Sequence, residues 1–157
     1  MKFYPKKPAR IPFTKDGYEK VLREKESLLK ERPDAVVNLR KAREMGDLSE
    51  NGYYKAARAR LSTLDARLRY IERLVRFGTI VESAGDGRID IGSTVSVSDG
   101  TGEYGYTIVG GYESDPANHT ISQMSPIGKA LFGKKTGETV EVRAPAKTTQ
   151  YKILKVC

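Results

Sequence analysis

Gly46-Asp47-Leu48-Ser49-Glu50-Asn51-Gly52-Tyr53-Tyr54 lies between two long, charge-rich stretches whose apolar residues recur at helical spacing. Gly46 is able to take the positive φ that ends a helix, and Asp47 is able to cap whatever follows. The simplest geometry is a pair of antiparallel helices with this segment as the turn at their far end. Asp47 and Glu50 then stand at the most distant point of a chain whose formal net charge is +8. Two acids at the tip of a basic protein require a reason.

Upstream of the turn, Thr14 is a candidate N-cap for a helix with Tyr18, Leu22, Leu29, Val36 and Leu39 on one side. Leu22, Leu29 and Val36 fall one heptad apart, which predicts a coiled-coil seam. Pro33 predicts a kink or a break near Glu31 and Arg32, with a restart behind it, and the helix then runs to about Glu44. Downstream, Tyr54, Ala57, Leu61, Leu64, Leu68, Ile71 and Val75 alternate three and four apart, with Gly78 closing the stripe. At a rise of about 1.5 Å per residue, such an arm extends roughly 35–45 Å. Because pairing within the chain covers the seam, a monomer is expected. Residues 1–13, basic and carrying three prolines, read as an extended arm that is mobile until something binds it.

From Thr79 the pattern changes to alternation. Strands are expected over 79–82, 94–97, 104–109, 120–123, 139–142 and 151–156, separated by Gly85-Asp86-Gly87, Asp99-Gly100 and Gly110-Gly111. Ser125-Pro126 opens a short helix through Ile127, Ala130 and Leu131, with Ser as cap and Pro at the first helical position. The expected fold is α+β in two domains. Residues 1–78 form a helical hairpin and 79–157 a small antiparallel sheet with one short helix.

Composition narrows the chemistry. The positive balance favours a phosphate-bearing partner, although a solvated basic surface has the same composition. A single cysteine, Cys157, rules out an internal disulfide and a Cys-rich zinc site. The single His119 argues against a His-dependent triad and reads as a loop residue. No apolar run approaches the roughly 20 residues of a membrane span, and the first residues lack a signal-peptide core. A cytoplasmic protein is expected.

Asp47 and Glu50, three apart, fall on one side of a first helical turn, where helix capping alone would favour acids. Two carboxylates are too few to hold Mg²⁺ tightly, since magnesium prefers octahedral oxygen ligation and keeps its waters. They are able to complete a metal site that a partner supplies, and so help to orient its attacking water. On a helical wheel Lys55, Arg58, Arg69, Arg73 and Arg76 fall on one flank of the apolar stripe, with Arg60 and Arg67 on the other. The first flank predicts a lengthwise strip suited to a nucleic-acid backbone. Tyr53 is the freer of the two tyrosines beside the tip for stacking on a base, because Tyr54 lies on the seam.

Ala42-Arg43-Glu44-Met45-Gly46-Asp47-Leu48-Ser49-Glu50-Asn51, followed by Tyr54, resembles the tip motif of the bacterial Gre transcript-cleavage factor family (GreA/GreB). Thr14 through Lys20, the Glu31-Arg32-Pro33 element, Gly92, Ile108-Val109-Gly110, Ile121-Ser122 and Ser125 through Leu131 resemble the same family in the same order. The resemblance implies a hairpin that enters the secondary channel of RNA polymerase and stimulates the polymerase's own cleavage of the RNA 3′ end in backtracked complexes. The chain would then be a cofactor, not an enzyme. Asp47 and Glu50 would share a Mg²⁺ with the polymerase, with none expected in the isolated protein. Lys55, Arg58, Arg69, Arg73 and Arg76 would meet the nascent RNA, an extent that leans toward the GreB type. The second domain would be FKBP-like and dock on the polymerase through Ile121, Ser125, Pro126 and Ile127. Gly52-Tyr53 departs from the family pattern, and Gly costs about 1 kcal/mol relative to Ala inside a helix. Three rival readings are a channel regulator that does not promote cleavage, a prolyl isomerase, and a free-standing nucleic-acid binder.

Overall fold

The computed structural model describes residues 10–45, 51–83, 85–143 and 148–157. These divide into two compact units. Tyr18–Phe77 form one, and Gly78–Cys157 with the described residues before Tyr18 form the other.

The first unit is the expected hairpin. Helix α1 spans Lys15–Glu44 and helix α2 spans Gly52–Phe77. Their cross-contacts run in opposite directions along the chain, as antiparallel packing demands. The Tyr18 hydroxyl donates to the Val75 carbonyl at 3.2 Å, Arg67 meets Glu24 at 2.6 Å, and Arg32 meets Asp65 at 2.7 Å. Ala35 packs with Leu64 and Leu68, flanked by Leu28 and Leu61.

The α2 stripe holds at Leu64, Leu68 and Ile71, which are buried, but at its end Leu74 is buried and the expected Val75 only half-buried. The α1 seam does not hold. Leu22, Leu29 and Val36 are 42%, 48% and 41% exposed, so they do not form the seam. The inward positions are one residue earlier: Val21 and Leu28 are half-buried, and Ala35 and Ala42 are buried. The heptad spacing was correct and its register off by one. Apolar size misled the sequence reading, because two of the true seam positions are alanines, whose small side chains let the helix backbones approach.

Pro33 does not break α1, which continues through it. A proline in a helix interior forgoes one backbone hydrogen bond and costs about 3 kcal/mol. The helix nevertheless continues between two tertiary contacts, the Arg32 bond to Asp65 and the burial of Ala35 in the seam. At its far end α2 stops at Phe77, but Gly78 does not take a left-handed cap. It begins a strand directly.

That strand exposes a second correction. Ile11–Phe13, expected within a mobile arm, is strand β1. It pairs in parallel with β2, Gly78–Ile80, matching Ile11 to Gly78 and Phe13 to Ile80. The Phe13 side chain is fully buried and stacks on Tyr112 at 6.3 Å between centroids. Just after it, Thr14 caps α1 by accepting from the Gly17 amide at 3.0 Å. The Glu113 carboxylate accepts from the Thr14 hydroxyl, from the Thr14 amide at 3.0 Å, and from the Gly110 amide at 3.0 Å. Gly110 has no room for a side chain, since a Cβ would lie 2.1 Å from the Pro12 carbonyl oxygen.

The remaining strands are β3 (Thr94–Ser98), β4 (Glu103–Val109), β5 (Thr120–Ser122), β6 (Thr139–Arg143) and β7 (Thr148–Val156). They form one curled sheet in the order β5-β4-β3-β7-β6. All neighbours are antiparallel except β4 and β5, which run parallel from Thr107↔Thr120 to Val109↔Ser122. The purely antiparallel expectation fails there. The chain leaves β4, forms a short 3₁₀ turn at Pro116–Asn118 and re-enters in the same direction. Helix α3, Pro126–Leu131, follows β5 with Ser125 as cap and Pro126 at its start. Alternate residues of β3 and β6 join Ile89, Ile108, Ile121, Leu131 and Ile153 in one apolar core.

The corrected seam makes a contrasting pair of stability predictions. Leu64→Ala is expected to destabilise the protein by about 2–5 kcal/mol. Leu29→Ala is expected to change it by no more than about 0.5 kcal/mol. Denaturant titration of both variants checks this, and a larger loss at Leu29 would restore the original register.

Candidate functional site

The acidic pair, Asp47 and Glu50, lies outside the described residues, as does Gly46. What the structure places is the ground on either side. Helix α1 ends at Glu44, and α2 begins at Gly52. The acceptor that caps α2 is Asn51, not the expected Asp47: its Oδ1 takes the Tyr54 amide at 3.1 Å, and the first turn of α2 begins after Glu50. Tyr53, the candidate stacking residue, is 49% exposed, whereas Tyr54 is half-buried. That agrees with the assignment of Tyr54 to the seam.

Lys55, Arg58, Arg69, Arg73 and Arg76 all stand on α2 with exposed side chains. Over their 21-residue span a rise of about 1.5 Å per residue gives a strip of roughly 30 Å. Among the described residues none of the five forms an ion pair with a carboxylate. The ion pairs of the hairpin involve Lys30, Arg32, Arg40 and Arg67 instead. Arg73 lies 6.0 Å from the Tyr70 ring centre and Arg76 lies 5.6 Å from that of Phe77. Such contacts hold the stems while leaving the guanidinium donors for a further acceptor.

The other flank behaves differently. The Arg67 guanidinium hydrogen-bonds Glu24, and that bond raises its pKa above the ordinary value. Arg32 is raised in the same way by its hydrogen bond to Asp65. These two cations fasten α1 to α2. On that flank Arg67 is thus engaged within the hairpin, whereas Arg60 forms no ion pair among the described residues.

In the second unit the four expected docking residues converge. Ile121, Ser125, Pro126 and Ile127 line one cleft of about 580 Å³, together with Tyr106, Ser114, Pro116, His119, Val142, Thr149 and Tyr151. Ile121 is mostly core, at 8% exposure. The Ser125 hydroxyl is committed at both ends: it donates to the Ser122 carbonyl at 2.7 Å and accepts from the Gly128 amide at 3.0 Å. Gly128 is obligatory at this bend, because a Cβ would lie 2.0 Å from the Ser122 carbonyl oxygen. Burial raises the pKa of Tyr106 and of Tyr151, which keeps both phenols neutral donors on the cleft wall.

Sequence reasoning missed the tyrosines and His119 as cleft residues. Tyr106 and Tyr151 belong to β4 and β7, which lie on either side of β3, and no sequence spacing announces that order. His119 does occupy a loop, in a left-handed conformation at φ 54, closing the 3₁₀ turn and facing Tyr106 at 6.5 Å. Among the described residues no group of three or more His, Cys, Asp or Glu side chains is able to hold a metal ion. No helix among them is long and apolar enough to cross a membrane.

A helical hairpin with a cationic strip, followed in the chain by a small sheet with an apolar cleft, defines a two-unit architecture. Comparison with known proteins gives that class a family. Residues 11–80 match the family described as "Transcription elongation factor, N-terminal", and residues 84–157 match "Transcription elongation factor, GreA/GreB, C-term". The transcription elongation factor GreA of Maridesulfovibrio salexigens is 45% identical over 150 residues, covering 93% of this chain and 94% of that protein. GreA of Solidesulfovibrio magneticus is 41% identical, covering 93% and 92%. A solved structure, the GreA factor homolog 1 of Thermus thermophilus, aligns over 94% of this chain and 99% of its own at 23% identity, with a TM-score of 0.45. The chain belongs to the GreA/GreB family of transcription elongation factors.

Proposed function

We propose that this protein acts on RNA polymerase through the secondary channel and stimulates the polymerase's own cleavage of the RNA 3′ end in backtracked complexes. The observation that carries this reading is the acidic pair Asp47 and Glu50, which lies in the sequence between the two helices of an antiparallel hairpin in a chain of this family. The chain is a cofactor to the reaction. Its partners are the polymerase and the extruded RNA.

Each part has a physical task. Asp47 and Glu50 supply hard oxygen ligands, the donor set that magnesium prefers, and neither is sufficient to hold the ion alone. Asp47 and Glu50 would hold the ion jointly with the polymerase, and it would supply polarisation of the attacking water. The carboxylates also accept hydrogen bonds from that water and so orient it. Lys55, Arg58, Arg69, Arg73 and Arg76 neutralise phosphates of the extruded strand along α2. Pro126 and Ile127, with the tyrosine-lined cleft beside them, offer an apolar seat for a protein segment of the polymerase.

RNA 3′-end shortening in a stalled, backtracked complex tests the mechanism. Wild type is expected to accelerate it, and Asp47→Asn combined with Glu50→Gln is expected to lose on the order of 10²-fold or more of that acceleration. No acceleration by wild type, or full retention by the double variant, contradicts the reading.

Charge reversal at Arg69 and Arg73 separates RNA contact from docking. The Arg69→Glu, Arg73→Glu variant is expected to lose cleavage most for long extruded RNA, with a salt slope lower by about 0.7 per lost phosphate contact. Equal loss for short and long fragments, with an unchanged slope, would assign the strip to docking instead.

A further inference from the structure

At the turn of the hairpin one side chain serves both helices. Asn51 Oδ1 accepts from the Tyr54 amide at 3.1 Å, while its Nδ2 donates to the Ala42 carbonyl at 3.2 Å. Its own carbonyl accepts the Lys55 amide at 3.1 Å. A helix leaves four amides at its start and four carbonyls at its end without internal partners. Asn51 satisfies one amide of α2 and one carbonyl of α1 at the same time.

Capping α2 does not by itself select asparagine. Asp and Ser cap about equally well, because the cap needs only a short side-chain acceptor. Asparagine alone among the short capping side chains carries an acceptor and an N–H donor on separate atoms of one rigid plane. The bond to Ala42 uses that donor. Ala42 is itself fully buried, so its carbonyl is tied at a packed point of α1 and not at a frayed end.

We infer that Asn51 is a positioning residue for the cleavage reaction: it ties the end of α1 to the start of α2, the two described ends between which Asp47 and Glu50 lie in the sequence. The inference rests on the cleavage reading given above. Two carboxylates that must complete a partner's metal site tolerate little displacement, since misplacement by about 1 Å costs on the order of 10²-fold in rate.

The test uses the full chain with RNA polymerase in backtracked complexes. Asn51→Ser keeps a neutral cap and is too short to reach the Ala42 carbonyl. Asn51→Asp keeps the shape and the cap but replaces the donor with an acceptor. Each is made alone and with Gly52→Ala, which strengthens the first turn of α2. At Gly52 an added Cβ meets nothing within 4 Å. Thermal unfolding and hydrogen exchange of the Tyr54 amide report hairpin integrity independently of cleavage.

The expected result is a variant with Gly52→Ala that melts like wild type and keeps the Tyr54 amide protected. Its saturating cleavage rate nevertheless falls about 10- to 100-fold. The factor concentration for half-maximal effect stays unchanged, and the Mg²⁺ concentration for half-maximal cleavage rises. Recovery of cleavage together with melting temperature on adding Gly52→Ala would show a merely structural role and overturn the inference. So would a wild-type rate, or a loss confined to the half-saturating concentration. In those outcomes wild type still cleaves and the broader reading stands. A wild type that fails to stimulate cleavage overturns that reading and the inference with it.

Discussion

The structure depends on a three-residue pairing. Ile11–Phe13 lies parallel to Gly78–Ile80, and parallel neighbours need a long crossover between them. Here that crossover is the whole hairpin, so its two roots enter and leave side by side. Phe13 is fully buried at this junction, and Glu113, 99 residues further along, gathers the Thr14 amide and hydroxyl with the Gly110 amide. Thr14 in turn caps α1. A carboxylate at a helix start is also where the helix dipole favours negative charge. The residues at the start of α1 that belong to the same unit as the sheet are thus held by a side chain of that unit's own loop.

Much of this was legible in the sequence, and the failures share a cause. Hydrophobic spacing identified both hairpin helices and six of the seven strands, because periodicity reports what each element buries; the start of α2 lies at Gly52, later than the cap expected at Asp47. The α1 seam was misplaced by one residue because Leu22, Leu29 and Val36 are larger than the alanines that pack. Heptad logic gives a period, and side-chain size gave the wrong phase. Strand β1 was overlooked since Pro12 and its basic flank look like a tail, yet at an edge a strand loses little by lacking one amide. Pro33 was expected to interrupt a helix that tertiary contacts carry through. Local propensity was overruled by packing in each case.

The candidate site divides along the same line. The cationic strip follows from helical angle alone and is where the wheel put it. That Arg67 is tied within the hairpin could not be foreseen, because its partner Glu24 is 43 residues away. Ile121, Ser125, Pro126 and Ile127 do share a cleft, but Tyr106, Tyr151 and His119 reach it through strand order and a left-handed turn that no motif encodes. Asn51 was read as part of a motif and not as a clasp. Its role becomes visible once the end of α1 is seen beside the start of α2.

The central claim is that the hairpin turn acts at the RNA 3′ end inside the polymerase. Tyr53, exposed and two residues beyond Asn51, offers a position for a photoreactive side chain that leaves the acidic pair and the clasp intact. In complexes halted with radiolabelled RNA, irradiation is expected to crosslink position 53 to the RNA 3′ segment when the complex is backtracked. Crosslinking is expected to weaken when the 3′ end is returned to the active register. Crosslinks confined to the outer surface of the polymerase, or identical in both registers, would contradict the account.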